Sequence, residues 1–210
     1  MTTQVAELVK QIKRSFRLYM NGVTAASMRN KGLDYKINWG ISQINLRSIA
    51  APYVGDDQLA EALWHDASVR ECRILATIIM PEESMTLEHC LEWSKDIANV
   101  EIAEVLAFNL FQHVPCVSQL SANLLEEGNI LERLTAYNTL CRLVRRDVRI
   151  ESSTYDVLFK RASIDMETTR QNTTDALQRQ LLHAIISLLD SIDAKGGAEA
   201  ARAETLLGQL

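Results

Sequence analysis

Three stretches of this chain repeat one design at an interval of about thirty residues. They are Arg70-Glu71-Cys72-Arg73-Ile74-Leu75-Ala76, Glu101-Ile102-Ala103-Glu104-Val105-Leu106-Ala107 and Glu132-Arg133-Leu134-Thr135-Ala136-Tyr137. Each opens on charge and turns apolar, as the second helix of a two-helix unit does. Such a unit cannot bury its apolar face alone, so neighbours must stack. The recurrence therefore predicts an all-α chain of helix pairs, stacked as a curved right-handed α-solenoid. A closed helical bundle is the structural alternative.

The rest of the chain agrees with helix after helix. Val5, Leu8, Ile12, Phe16 and Tyr19 hold a three-to-four spacing, which predicts a first helix ending near Asn21-Gly22 in a left-handed cap. A short helix follows over 25–29, then an irregular stretch from 31 to 40. Ser42, Asp56, Ser68 and Asn99 are placed to cap helices over 43–53, 58–65, 69–80 and 100–112, because their side-chain oxygens accept orphan N–H groups. Further helices are predicted over 87–93, 117–125, 130–145, 154–161 and 173–191. With 8 Gly and 3 Pro in 210 residues, punctuation is too sparse for an all-β fold. The expected organisation is one repeat domain over 1–192 and a flexible or loosely helical tail over 193–210.

Charge is distributed in blocks. The net charge of −5 resolves into +6 over 1–50, −12 over 51–132, +4 over 133–161 and −3 over 162–210. A phosphate-binding surface needs its cations together, so the fold must bring basic residues onto one face if the chain is to bind nucleic acid. No apolar run approaches the ~18 residues of a membrane span; the longest, 74–80 and 181–189, are broken by Thr77, His183 and Ser187. The N-terminal segment is amphipathic and not an apolar signal core, so a cytoplasmic protein with no membrane partner is expected. Cys72, Cys90, Cys116 and Cys141 form no Cys-x-x-Cys and sit among apolar residues, which predicts buried free thiols and no metal site.

One set of residues goes beyond a generic helical repeat. Trp39-Gly40-Ile41 is followed by Arg47, then by Ala62-Leu63-Trp64-His65 and Val69-Arg70-Glu71, and later by Leu131-Glu132-Arg133-Leu134-Thr135-Ala136. In this order they resemble the bacterial DNA alkylation repair family, the alkylpurine DNA glycosylases built from HEAT-like helix pairs. The similarity spans most of 25–190. It implies a HEAT-like solenoid that holds double-stranded DNA on a concave basic surface and excises alkylated purines without metal or nucleotide cofactor. It also implies a carboxylate that stabilises the sugar cation, tryptophans against the lesion and an arginine holding phosphate.

Carried onto this chain, the resemblance puts Val100 at the position of the catalytic aspartate and Asp96 at that of a tryptophan. Glu101 and Asp96 are the nearest carboxylates, and a slip of one residue makes Glu101 the substitute. Arg133 matches the phosphate-holding arginine. His183 falls near a second tryptophan position, and Trp93 lies close to the first, so both are candidates to face a lesion. The DNA-binding candidates are Arg47, Arg133, Arg142, Arg145 and Arg146, the last three with Arg149 forming the densest basic cluster.

Each candidate also has a structural explanation. Arg133 suits an ion pair between repeats, Glu101 the positive end of a helix dipole, and the basic cluster a helix C-terminus. Trp39, Trp64 and Trp93 suit core positions, and His183 a buried histidine. No Gly-x-Ser-x-Gly, phosphate loop or His-Glu-x-x-His is present. Two functions follow: a DNA-binding, glycosylase-like repair protein with a degenerate catalytic site, or a non-catalytic HEAT-like module that holds a protein partner on its concave face.

Overall fold

A computed structural model describes residues 2–172 and 174–209. Among them are twelve α-helices and three short 3-10 turns. Extended pairing consists of an isolated parallel bridge between Ile37 and Val69. The chain divides into two compact units, Met1–Ser84 and Met85–Leu210.

The first unit holds α1 (Thr3–Tyr19), α2 (Gly22–Asn30), α3 (Gln43–Ala50), α4 (Asp57–Trp64) and α5 (Arg70–Ile79). Helix α1 buries Val5, Ile12 and Phe16 and packs on α4, while α4 and α3 both pack on α5. Lys13 ties α1 to the turn before α5 through a 2.6 Å ion pair with Asp66. Ser42 and Asp56 cap α3 and α4 as expected, accepting from Asn45 N–H and Leu59 N–H. Two expectations need correcting. Asn21 does not end α1; it takes extended backbone and caps the start of α2 by accepting from Thr24 N–H at 3.0 Å. Ser68 does not cap α5, because its hydroxyl donates to Asp66 instead and Val69 occupies the cap position.

The second unit has two helix layers. One is formed by α7 (Val100–Asn109), α9 (Ile130–Arg145) and α11 (Ala176–Asp193), packed in that order. The other is formed by α6 (Leu87–Lys95), α8 (Val117–Glu127), α10 (Ser152–Gln171) and α12 (Ala198–Leu207). Helix α8 packs on α9, and α10 and α12 pack on α11. The starts of α5, α7 and α9, at Arg70, Val100 and Ile130, keep the thirty-residue recurrence read from the sequence.

Helix α10 runs well past the end at 161 expected from the pattern, because Ala162, Asp165, Met166 and Thr169 continue its buried face. An aspartate in that row hides the periodicity. The helix expected from 173 begins at Ala176, capped by Asp175, and Thr173 lies outside the described residues. Within 193–210, α12 buries Ala200, Ala203 and Leu206. All four cysteines are unpaired; Cys72, Cys90 and Cys141 are buried and Cys116 is half-buried. Burial, with the charge of Asp66 beside it, pushes the Cys72 thiol up to about 12. Among the described residues no helix is long and apolar enough to cross a membrane.

Candidate nucleic-acid interface

The sequence motif around Trp39 proves to be a turn locked from beneath by a buried carboxylate. Glu71, fully buried on α5, accepts the N–H of Trp39 at 3.1 and 3.2 Å and that of Ile41 at 3.3 Å. Arg70 Nη1 donates to Glu71 and to Ile41 O, both at 3.2 Å. A buried carboxylate persists only when its charge and lone pairs are met, and here three donors meet them. Between the two anchored residues Gly40 sits at φ +67°, where a Cβ would stand 2.2 Å from Asn21 O. Arg73 lies 4.2 Å from the centre of the Trp64 ring. These residues carry the resemblance noted in the sequence, and their contacts hold the turn together. Arg47, on α3 of the same unit, is exposed.

Helix α9 organises the second unit. Its start is a capping box: Asn129 accepts from Leu131 and Glu132 N–H while Glu132 accepts from Asn129 N–H at 2.6 Å. Gly128 is required just before it, because a Cβ there would stand 2.3 Å from Leu124 O. One turn on, Arg133 turns inward, its Nε 3.1 Å from Asp165 Oδ2 and its Nη1 2.8 Å from Gly128 O. Asp165 is only 1% exposed and also accepts from Tyr137 Oη at 3.0 Å and from Arg161 at 2.8 and 3.1 Å. Burial and the neighbouring carboxylate raise the Tyr137 pKa well above its usual value, keeping that hydroxyl a donor. The arginine expected on phosphate is thus engaged in an ion pair between α9 and α10.

The other end of α9 is different. Arg142 lies over the Phe108 ring of α7, 4.4 Å from its centre. Burial lowers the Arg142 pKa, and its Nε is buried without a hydrogen-bond partner. Arg145 is exposed and is held by two serines of α11, Nε on Ser191 Oγ at 3.0 Å and Nη2 on Ser187 Oγ at 2.8 Å. Arg146, also exposed, donates to Gln112 Oε1 at 3.1 Å and lies 3.4 Å from His113 Nδ1. Asp147 then ends the helix in the left-handed region at φ 57°, with Val148 N–H returning to Leu143 O at 2.9 Å. Arg149 follows, exposed. The helix C-terminus favours these cations, yet that alone does not order them. Hydroxyl, amide and imidazole partners hold Arg145 and Arg146 in place, and none of these neutralises a guanidinium as a carboxylate would.

On α7, Glu101, Glu104 and Phe108 lie at three- and four-residue spacing, which puts them on one face. Glu101 is half-buried in the first turn. Burial raises the Glu104 pKa, the Glu101 charge raises it further, and Arg142 opposes both. On α11, His183 is exposed one turn before Ser187, so the buried histidine weighed from its apolar flanks does not occur. The fold therefore gathers Glu101, Arg142, Arg145, Arg146 and His183 along the α7–α9–α11 layer. Asp96 stands apart, exposed at the end of α6 in the other layer. Trp93, a candidate to face a lesion, is 2% exposed with its ring edge-on to His89; it is a core residue of α6. Glu104, Phe108, Gln112 and Asp165 join the site only through the structure. The three-to-four spacing from Glu101 signals Glu104 and Phe108; Gln112 and Asp165 are marked only by their partners.

Stacked helix pairs with arginines ordered on one layer define the class: a HEAT-like helical repeat protein. Residues 12–181 match the family described as DNA alkylation repair enzyme, and the chain belongs to that family. The fold is similar to that of a solved structure described as "a new family of proteins related to the HEAT-like repeat DNA glycosylases with affinity for branched DNA structures". The TM-score is 0.71 at 14% identity, over 88% of this chain and 75% of that one. No curated protein sequence matches the chain.

Proposed function

We propose that this chain is a DNA-binding repair protein whose catalytic site is degenerate. The observation carrying the DNA contact is the state of Arg145 and Arg146: two exposed guanidiniums ordered by uncharged partners on adjoining helices. Ordering them in advance reduces the entropy lost when they meet phosphate, and no carboxylate among the described residues pairs with them, which leaves their charge available. Arg142 adds a third cation on the same helix, and Arg47 is an exposed candidate on the first unit. Arg133 contributes less on this reading, since Asp165 holds it. The site of action is the cytoplasm, where four unpaired thiols stay reduced.

Each phosphate contact releases counterions, so the logarithm of affinity falls with that of salt by roughly 0.9 per contact on duplex DNA. Fluorescence anisotropy on a labelled duplex between 50 and 300 mM salt tests the proposal. Changing Arg145 and Arg146 together to Glu should weaken binding at every salt and flatten the slope by about 2. A slope that the double variant leaves unchanged places the DNA elsewhere.

For chemistry, Val100 offers no carboxylate, and Glu101 is the candidate on the layer that carries the arginines. In a water-poor groove a carboxylate beside a departing base stabilises positive charge on the sugar. Release of 7-methylguanine from methylated DNA is expected to be weak, and Glu101→Gln should abolish what exists. Release that survives changes at both Glu101 and Asp96 assigns the reaction to other residues. The second reading, a module that binds a protein partner, is favoured by the net −12 carried by residues 51–132. It requires that duplex DNA fail to bind even at low salt.

A further inference from the structure

We propose that Phe108 and the arginines at the end of α9 form a site for an unpaired nucleotide of DNA, the base stacking at Phe108 and the flanking phosphates meeting Arg145 and Arg146. The inference rests on the DNA-binding reading above and specifies which form of DNA that site selects. Phe108 is 44% exposed, and apolar ring surface in water costs hydration that a packed position would avoid. Its setting is nonetheless ordered. The Arg142 guanidinium lies over the ring at 4.4 Å while its buried Nε finds no hydrogen-bond partner, so ring stacking and the charge of Glu104 nearby position that cation.

Gln112 then joins the backbone at Phe108 to the next arginine. It is 7% exposed, its amide N–H donates to the Phe108 carbonyl, and its Oε1 accepts from Arg146 at 3.1 Å. A buried amide spent on connecting the α7 backbone at Phe108 to an exposed guanidinium holds Arg146 beside that end of the helix. Ser187 and Ser191 fix Arg145 in the same way from the other side. The product is a ring with one cation against it and two beyond it, all held from below.

Duplex DNA presents phosphates to such a surface but no base face. An unpaired nucleotide presents both, and any base can stack because each has a π-face. Because Arg142 covers one face of the ring, the base stacks on the ring surface left exposed or against the flat guanidinium itself, and neither contact depends on base identity. Glu101 and Glu104, on the same face of α7, disfavour a phosphate at the ring itself and so orient the ligand with its base toward Phe108 and its phosphates toward the helix end.

The experiment compares three labelled DNAs of one sequence by anisotropy: an intact duplex, the duplex with a one-nucleotide bulge, and the same bulge lacking its base. The intact chain should bind the bulged duplex roughly tenfold more tightly than the other two. Phe108→Leu, which keeps apolar bulk under Arg142 but removes the π-face, should bring the bulge-to-duplex ratio toward one; Phe108→Trp should keep it. Equal binding of all three DNAs overturns the site while leaving duplex binding standing. A preference that survives in Phe108→Leu, or that the baseless bulge shares, overturns it as well. Failure of every DNA to bind removes the DNA-binding reading together with this one.

Discussion

Asp165→Ala isolates the feature that holds α9 and α10 together. In the folded chain that carboxylate accepts four hydrogen bonds from Arg133, Tyr137 and Arg161, at 2.8 to 3.1 Å, and is 1% exposed. Removing it leaves a fully buried tyrosine hydroxyl without an acceptor and two guanidiniums facing each other without a counter-charge. Breaking a buried ion pair from one side costs about 3–5 kcal/mol, and an orphaned hydroxyl about 1–3 kcal/mol. These costs overlap. Arg133 and Arg161, with side chains 14% and 26% exposed, can also turn partly toward water. A loss of about 4 kcal/mol is therefore expected, or roughly 10 °C in Tm for a chain of this size. Asp165→Asn keeps the shape and one acceptor but loses the charge, and should cost about half as much. Urea unfolding followed by circular dichroism at 222 nm measures both. If Asp165→Ala costs less than about 1 kcal/mol, the carboxylate does not organise the pair, and Arg133 is available for the phosphate role that the sequence suggested.

Two further outcomes follow from single positions. Gly40→Ala should cost at least ~2 kcal/mol in the same assay, because the methyl would stand 2.2 Å from Asn21 O in a left-handed backbone; a neutral effect would mean the turn is loosely held. Glu104→Gln should raise Tm at pH 7. The folded-state pKa of Glu104 lies above the ordinary glutamate value, so its contribution is present below that value and is lost as pH rises through the folded one. The gap between variant and parent should close as pH falls toward 4, and a variant no more stable than the parent at pH 7 refutes the assignment.

Helical class, the thirty-residue recurrence and most helix starts were legible in the sequence, because they depend on interactions within a few residues. Apolar spacing decides which side of a helix is buried, and Asp56, Asn99 and Ser42 bond N–H groups three positions away. Family resemblance was legible for the same reason: Trp39-Gly40-Ile41 and Arg70-Glu71 are short local patterns. What the patterns hold together was not legible. That Glu71 closes the Trp39 turn depends on residues about thirty positions apart meeting in the core. The length of α10 is hidden in the sequence because Asp165 has the look of a solvent position, and only Arg133 and Arg161 packed on it make it a buried one.

The candidate site divides in the same way. Its arginines could be counted from composition, but which of them keep free charge depends on their neighbours across helix layers. Arg133 and Arg145 are chemically identical residues on one helix; a buried aspartate from α10 neutralises the first, and two serines from α11 merely hold the second. Trp93 and His183 are both candidates to face a lesion and both suit burial from their flanks; packing buries the tryptophan and leaves the histidine exposed. Local chemistry specifies the helices. The packing of one helix on another decides which charges remain for a ligand, because neutralisation acts over a few ångströms in space and takes no account of distance along the chain.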